Sequence, residues 1–117
     1  MNWAVELAAE ARADLAGIIT YSRRHYGAPR ARAYRAALEA TVRDLAGGPD
    51  APGSTHRRDL GDEYFARHVS LRFHRGRHLF VYRVGQTHPG PTILVVRILH
   101  DAMDIARHLP PADKDPA

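Results

Sequence analysis

Two stretches of helical periodicity, separated only by residues 27–32, constrain this chain more than any other feature. Apolar and small residues recur at three- and four-residue spacing over residues 11–26 and again over 33–45. Gly27 is suited to end the first helix, and Pro29 is suited to the first turn of the second. Because the connection is so short, the sequence predicts an antiparallel helical hairpin.

Three runs of β-forming residues follow a loop rich in proline, glycine and aspartate at residues 49–63. The runs cover residues 64–73, 78–85 and 92–100, and their short connections predict an antiparallel meander. The last run is apolar on both sides, which indicates an interior strand covered on both faces. A brief alternating run at residues 3–8 indicates an edge strand.

Beyond the last strand, Asp101 is well placed to cap a short C-terminal helix. The predicted order is therefore β-α-α-β-β-β-α, an α+β fold in which a helical hairpin packs on a small antiparallel sheet. At 117 residues the chain has room for one domain. We assign that domain to residues 1–109 and expect a disordered tail at residues 110–117.

Acidic residues are absent from the segment 64–100, which carries six arginines and five histidines. With a net charge of +4, this distribution favours an anionic partner. A biased amino-acid composition explains the same charge equally well, because the chain is rich in alanine and arginine and contains a single lysine. Charge alone leaves both interpretations open.

Several classes of protein are disfavoured by composition. No apolar run approaches the roughly 20 residues that cross a bilayer, and acids near the N-terminus do not resemble a secretory leader. The absence of cysteine excludes disulfides and thiol chemistry. We therefore expect a cytoplasmic protein with no membrane partner and no cofactor.

Three segments in this order resemble the ParE branch of the RelE/ParE toxins of bacterial type II toxin–antitoxin modules. They are "AEARADLAGIITYSRRHYG" near the front, "HLFVYRV" in the sheet and "VVRILHDAMDIARHL" at the end. The similarity runs from about Trp3 to Leu109, and its most specific parts are the Ala-x-x-Asp-Leu pattern at 11–15 and the Arg-Ile-Leu-His block at 97–100.

The resemblance implies a toxin that a cognate ParD-like antitoxin holds inactive in a hetero-oligomer, which reaches operator DNA only through the antitoxin. ParE-type toxins are understood to poison DNA gyrase by binding it, whereas RelE-type relatives cut mRNA on the ribosome. The expected function is gyrase poisoning without catalysis. The alternatives are a metal-independent ribonuclease and a basic nucleic-acid-binding module without toxicity.

A metal-independent ribonuclease needs a base, an acid and cations that stabilise the phosphate. Strand alternation predicts Arg72, His74 and Arg83 on one face of the sheet, with Arg97 close enough to join them. After Asp101, however, there is no tyrosine, and the carboxylates of this segment would repel an RNA phosphate. Binding is therefore favoured over catalysis. The candidate target-binding residues are Arg72, His74, Arg75, Arg77 and Arg83.

Arg97 lies inside an otherwise apolar strand, where an unpaired charge would be costly. Its nearest acidic residues in sequence are Asp101 and Asp104, and an acidic antitoxin residue is the alternative partner. We predict a structural clamp that docks the last helix to the sheet and consists of Arg97, His100, Asp101 and Asp104. A metal site at His100, Asp104 and His108 is not expected, because no fourth ligand is apparent.

The hairpin has more apolar side chains than one small sheet can cover, so part of it is expected to receive an antitoxin helix. An antitoxin strand can also pair with an exposed sheet edge. The candidate antitoxin-binding residues are Leu15, Ile18, Ile19, Tyr34, Leu38 and Val42.

Overall fold

The computed structural model describes residues 3–86 and 90–109. The helices and strands, in chain order, are β1 (Ala4–Leu7), α1 (Ala9–Tyr26), α2 (Ala28–Asp44), β2 (Ser54–His56), β3 (Phe65–His68), β4 (His78–Gln86) and β5 (Pro91–His100). Short 3₁₀ turns follow α2, β3 and β5, at Leu45–Gly47, Val69–Leu71 and Ile105–His108. The predicted tail at 110–117 lies outside the described residues.

The helical hairpin forms as the sequence predicts. Gly27 adopts a φ of 88° and a ψ of 166°, a conformation that residues with a side chain rarely adopt, and this lets the chain reverse abruptly. Pro29 lies in the first turn of α2, where its missing N–H leaves no helical hydrogen bond unmade. Along one side of α2, Tyr34, Leu38 and Thr41 are buried.

The five strands form one sheet in the order β1-β5-β4-β3-β2. The α+β class is confirmed, but the sheet is mixed rather than wholly antiparallel, because β1 runs parallel to β5 with Val5 opposite Ile93. Most of the chain separates these two strands, so no tight turn dictates their relative direction. The predicted loop at 49–63 also contains β2, which pairs with β3. At three residues, β2 is too short to produce a recognisable alternation.

The first predicted β run stops early, because β3 ends at His68 and a 3₁₀ turn replaces the rest of the strand. The His68 Nδ1 accepts a hydrogen bond from the Ser70 amide at 3.0 Å, which stabilises this turn. Gly76 then lets the chain pass close to α2. A Cβ at this position would lie 2.5 Å from Val69 Cγ1 and 2.9 Å from Tyr34 Cε1.

Both faces of the sheet are covered, as the apolar pattern of β5 predicts. On the helix face, Leu38, Phe80 and Tyr82 belong to the main core. On the other face, a smaller cluster includes Tyr64 and Val96. Around it pack partly buried side chains from the 49–63 loop, from the strands and from the C-terminal segment: Leu60, Leu79, Leu94 and Leu109. β5 contributes side chains to both clusters and is therefore an interior strand.

The segment after β5 differs from the prediction. Instead of a helix capped by Asp101, the chain makes turns through 101–103 and then a single 3₁₀ turn at Ile105–His108. Asp104 occupies the N-cap position of that turn but makes no side-chain cap hydrogen bond. Within the described residues, neither helix is long and apolar enough to cross a membrane.

Candidate functional site

A cleft of about 670 Å³ lies alongside α1, where β4 begins and β5 ends. Its apolar lining includes Ile18 from α1 and Ile98 from β5. Seven of the lining side chains are basic: Arg30, Arg75, Arg77, Arg97, His78, His100 and His108. Among the lining residues that the structure describes, Asp14 alone is acidic. The cleft therefore combines apolar surface with a wall of basic side chains, which suits an amphipathic and acidic partner.

Gly17 lies at the surface of α1 inside this cleft. A Cβ added here would meet nothing within 4 Å, so the protein's own packing does not require glycine at this position. A glycine within a helix costs roughly 1 kcal/mol relative to alanine. Open space above a costly glycine leaves room for another backbone to approach α1 closely.

The wall of the cleft contains an ion pair that joins α1 to β5. The Arg97 guanidinium donates to both Asp14 carboxylate oxygens, from Nε at 2.8 Å and from Nη2 at 2.9 Å. The same carboxylate accepts from the Ile98 amide at 2.9 Å. Arg97 also donates to the His108 carbonyl at 3.1 Å. The prediction that Asp101 or Asp104 pairs with Arg97 is wrong, because α1 supplies the carboxylate from across the domain.

Asp101 instead links three segments at the end of the cleft. Its carboxylate accepts from Arg77 Nε at 3.0 Å and approaches His68 Nε2 at 2.7 Å. The Arg77 hydrogen bond, followed by that of His68, lowers the pKa of Asp101 to about 2. Since His68 Nδ1 accepts from the Ser70 amide, its Nε2 carries the proton that is donated to Asp101. Asp101 thus ties the end of β5 to β3 and to the turn before β4.

A neutral hydroxyl–imidazole pair lies beside these ions. The Tyr34 hydroxyl is 2.7 Å from His78 Nδ1, and the His78 ring makes an edge contact with His100 at 5.6 Å between centroids. Burial, followed by the charge of His100, lowers the pKa of His78 to about 4. Burial raises the pKa of Tyr34 to about 12. At neutral pH this hydrogen bond therefore joins an un-ionised hydroxyl to an uncharged imidazole.

One known protein family matches most of this chain. The family model of the ParE toxin of the type II toxin–antitoxin system matches residues 5–105. The chain belongs to the ParE toxin family. It is 40% identical to Toxin ParE of Escherichia coli over 103 residues, which cover 88% of this chain and 89% of that protein.

Two solved structures share the fold. A chromosomal ParDE system from P. aeruginosa aligns with a TM-score of 0.56 and 20% identity, covering 84% of this chain and 95% of that one. A RelBE2 toxin–antitoxin complex from Mycobacterium tuberculosis aligns with a TM-score of 0.57 and 22% identity, covering 88% and 95%. At these identities, both comparisons support the fold of a ParE-family chain and nothing finer.

The target-binding candidates of this ParE-family chain do not form one patch. Arg72 binds the Asp44 carboxylate through two hydrogen bonds of 2.8 and 2.6 Å, whose effect lowers the pKa of Asp44. Arg83 pairs in register with Leu94, which packs against the smaller cluster on the sheet face away from the helices. His74 and Arg75 are exposed near the cleft. The prediction that Arg72, His74 and Arg83 share one face of the sheet is wrong, because β3 ends before Arg72.

The antitoxin-binding candidates divide by burial. Leu38 is fully buried and Tyr34 is 8% exposed, so both are core residues rather than a free apolar surface. Leu15, Ile18 and Val42 are partly buried against the same core, and Ile19 is partly exposed. Ile18 also lines the cleft, and it is therefore the candidate best placed to contact a partner.

Sequence reasoning missed three residues that organise the site: Asp14, Asp44 and Gly17. Asp14 stood within the Ala-x-x-Asp-Leu pattern, but nothing local indicates a partner 83 positions away. No group of three His, Asp or Glu side chains within the described residues could hold a metal ion. The spacing of His100, Asp104 and His108 does not bring these side chains together, since a turn replaces the expected helix.

Proposed function

We propose that this ParE-family toxin inhibits growth by poisoning DNA gyrase, and that a ParD-like antitoxin neutralises it by docking in the cleft beside α1. The observation that supports the docking is the lining of the cleft, which is apolar with four arginines, three histidines and one acidic residue within the described part of the chain. An amphipathic helix with acidic flanks is complementary to such a lining. A solved relative is described as a ParDE system, which is consistent with an antitoxin of this class.

Close approach to α1 is the part of the docking proposal that one substitution can test. Gly17→Leu would fill the space above α1 while improving helix propensity, so the free toxin should melt at the same or a higher temperature. Binding of the antitoxin encoded beside the toxin should weaken at least tenfold, and co-expressed antitoxin should protect cells less well.

Ala16→Leu is the matched control, because Ala16 is the exposed neighbour of Gly17 and does not line the cleft. It adds the same side chain to the same helix, and antitoxin binding should be unchanged. If Gly17→Leu binds the antitoxin as tightly as the parent does, the cleft is not the docking site.

The choice of gyrase rests on family membership, because ParE-type toxins are understood to act on this enzyme. Expression without antitoxin should therefore induce the DNA-damage response and filamentation while translation initially continues. Purified toxin added to gyrase, ATP and plasmid should inhibit supercoiling and accumulate cleaved DNA. Immediate arrest of protein synthesis with codon-dependent mRNA cuts would contradict gyrase poisoning.

One observation favours ribosome-dependent mRNA cleavage as a second candidate. His78 and His100 lie beside Arg77 and Arg97 in the cleft, so imidazoles and guanidinium groups come together at one place. A ribonuclease could use such a group for proton transfer and phosphate binding. His100→Ala decides between the candidates, since this side chain is about 42% exposed and is not needed for the core. Complete loss of toxicity with unchanged folding would favour the ribonuclease.

A further inference from the structure

The tip of the helical hairpin carries a second acid-free segment, part of which also lines the cleft beside α1. Residues 15–38 contain no aspartate or glutamate, and arginines occupy both the last turn of α1 and the first turns of α2. Ring contacts join this tip to the turn before β4, because Phe73 packs edge-on against Tyr34 at 4.9 Å between centroids. Two acid-free segments that are distant in sequence therefore meet on one surface.

Exposed aromatic rings lie among these cations. Tyr21 is 55% and Tyr26 is 57% exposed, although both lie within a regular helix. The Tyr21 ring stacks on His25, with the centroids 3.9 Å apart and the planes 25° from parallel. The Arg30 guanidinium lies 5.1 Å from the Tyr26 centroid, within cation–π range. We call Tyr21, His25 and Tyr26 the aromatic platform.

A shallow depression adjoins the platform. Every residue that lines it is cationic or aromatic: Arg30, Arg72, Phe73, His74 and Arg75. Asp44 neutralises Arg72. Within the described residues, Arg30, His74 and Arg75 make no ion pair with a carboxylate. The uncompensated charge of the two arginines favours an anion such as a phosphate.

We propose that the aromatic platform and the neighbouring basic side chains of Arg30, His74 and Arg75 bind single-stranded nucleic acid. Bases stack on the exposed rings, and backbone phosphates contact the cations. Every base presents a π face, so this binding needs no particular sequence. A duplex keeps its base faces stacked internally and offers the platform little. A purely acidic peptide would use the cations but has no counterpart for two half-exposed tyrosines.

The test compares three probes of matched charge against the purified full-length toxin, by fluorescence anisotropy at low salt. The probes are a labelled 12-nucleotide oligothymidylate, an abasic strand of equal length, and a polyglutamate peptide of equal charge. We expect oligothymidylate to bind about tenfold tighter than either other probe, because only it provides both phosphates and stacking bases. Equal binding of the abasic strand, or of the peptide, would overturn the proposal.

Variants then assign the two contributions. Tyr21→Ala and Tyr26→Ala should each weaken oligothymidylate binding several-fold without changing abasic binding, whereas Tyr21→Phe and Tyr26→Phe should keep it. Arg75→Ala should weaken the binding of both strands and reduce the salt dependence. Arg83→Ala, on the opposite face of the sheet, is the charge-matched control and should leave both affinities unchanged. Loss of affinity in the Arg83 variant equal to that of Arg75 would overturn the proposed location.

This inference and the gyrase proposal can fail separately. If the toxin binds oligothymidylate through the platform but leaves gyrase supercoiling intact, the nucleic-acid site stands and the gyrase proposal fails. If gyrase is poisoned while the three probes bind alike, the nucleic-acid site is wrong and the gyrase proposal survives.

Discussion

Arg97 and Arg75 belong to the same acid-free segment and line the same cleft, yet they lie in opposite surroundings. Arg97 is 24% exposed and binds the carboxylate of Asp14 with two hydrogen bonds, whereas Arg75 is exposed and has no such partner within the described residues. Arg77 resembles Arg97 in having a carboxylate, that of Asp101. A segment without acids in sequence is therefore not without acids in space. Only the unpartnered cations remain available for an anionic ligand.

Among the tests of this comparison, the largest loss of stability is expected when the carboxylate that binds Arg97 is removed. Asp14→Ala should lower the free energy of unfolding by about 3 kcal/mol, because it leaves a largely buried guanidinium unpaired and the Ile98 amide without its acceptor. Arg97→Ala should cost about 2 kcal/mol, since Asp14 keeps the amide hydrogen bond. Urea denaturation measures both.

Asp104→Ala is the control for this experiment. Asp104 is one of the two acids that sequence proximity favours, but it is exposed and makes no side-chain cap hydrogen bond. Its removal should change stability by less than about 0.5 kcal/mol. A larger loss at Asp104 than at Asp14 would mean that the last turn, rather than α1, holds Arg97.

Asp44 allows the comparison to be repeated around a single carboxylate. Its oxygens lie 2.6 Å from Arg72 and 3.8 Å from Arg67, and the two arginine side chains are 49% and 10% exposed. Arg67 also donates to the Pro52 carbonyl at 2.8 Å, which fastens the loop before β2. Arg67→Ala should cost about 2 kcal/mol through lost packing and lost hydrogen bonds, and Arg72→Ala much less, because its ion pair is exposed to solvent. Equal melting temperatures for the two variants would remove the distinction.

His78 extends the comparison to a basic side chain that burial keeps uncharged. Its pKa in the folded chain, about 4, lies below the ordinary value of 6.5. Between these values the unfolded chain takes up a proton that the folded chain does not, so stability falls as the pH drops from 6.5 towards 4. The loss should be about 1 kcal/mol between pH 7.5 and 5.5.

His78→Asn provides the matched variant for this pH dependence, because its amide can still form a hydrogen bond with the Tyr34 hydroxyl without titrating. Its stability should be flat over the same pH range. Asp101, whose pKa is about 2, contributes stability that is lost only below pH 4, so the two windows are separable. An unchanged slope in His78→Asn would assign the titration to another group.

The sequence predicts the elements that short-range pattern controls. The hairpin follows from helical periodicity broken by Gly27 and Pro29, and the interior position of β5 follows from its two apolar faces. Pairings across the domain are not predictable in this way. Arg97 meets Asp14 because the packing of α1 on β5 brings them together, while sequence proximity pointed to Asp101.

The end of β3 was equally hidden from pattern analysis. Its β-forming residues continue past His68, but a hydrogen bond from the Ser70 amide to the His68 ring and the close approach of Gly76 to Tyr34 favour a turn there. That turn moves Arg72 and His74 off the predicted sheet face. The arrangement of the candidate site therefore depends on local contacts that alternation cannot reveal.

The smallest effects on stability are expected at the unpartnered cations. Arg75→Ala and Arg83→Ala should each change the free energy of unfolding by less than about 0.5 kcal/mol, since neither side chain makes an ion pair within the described residues.

Toxicity should nevertheless fall in graded steps in these two variants, because a toxin that binds its target loses only part of its affinity with each surface charge. The double variant should be weaker than either single variant. Growth inhibition measured beside melting temperature separates these effects. An all-or-none loss of toxicity at one of these positions, with folding intact, would indicate a catalytic group and contradict the binding mechanism.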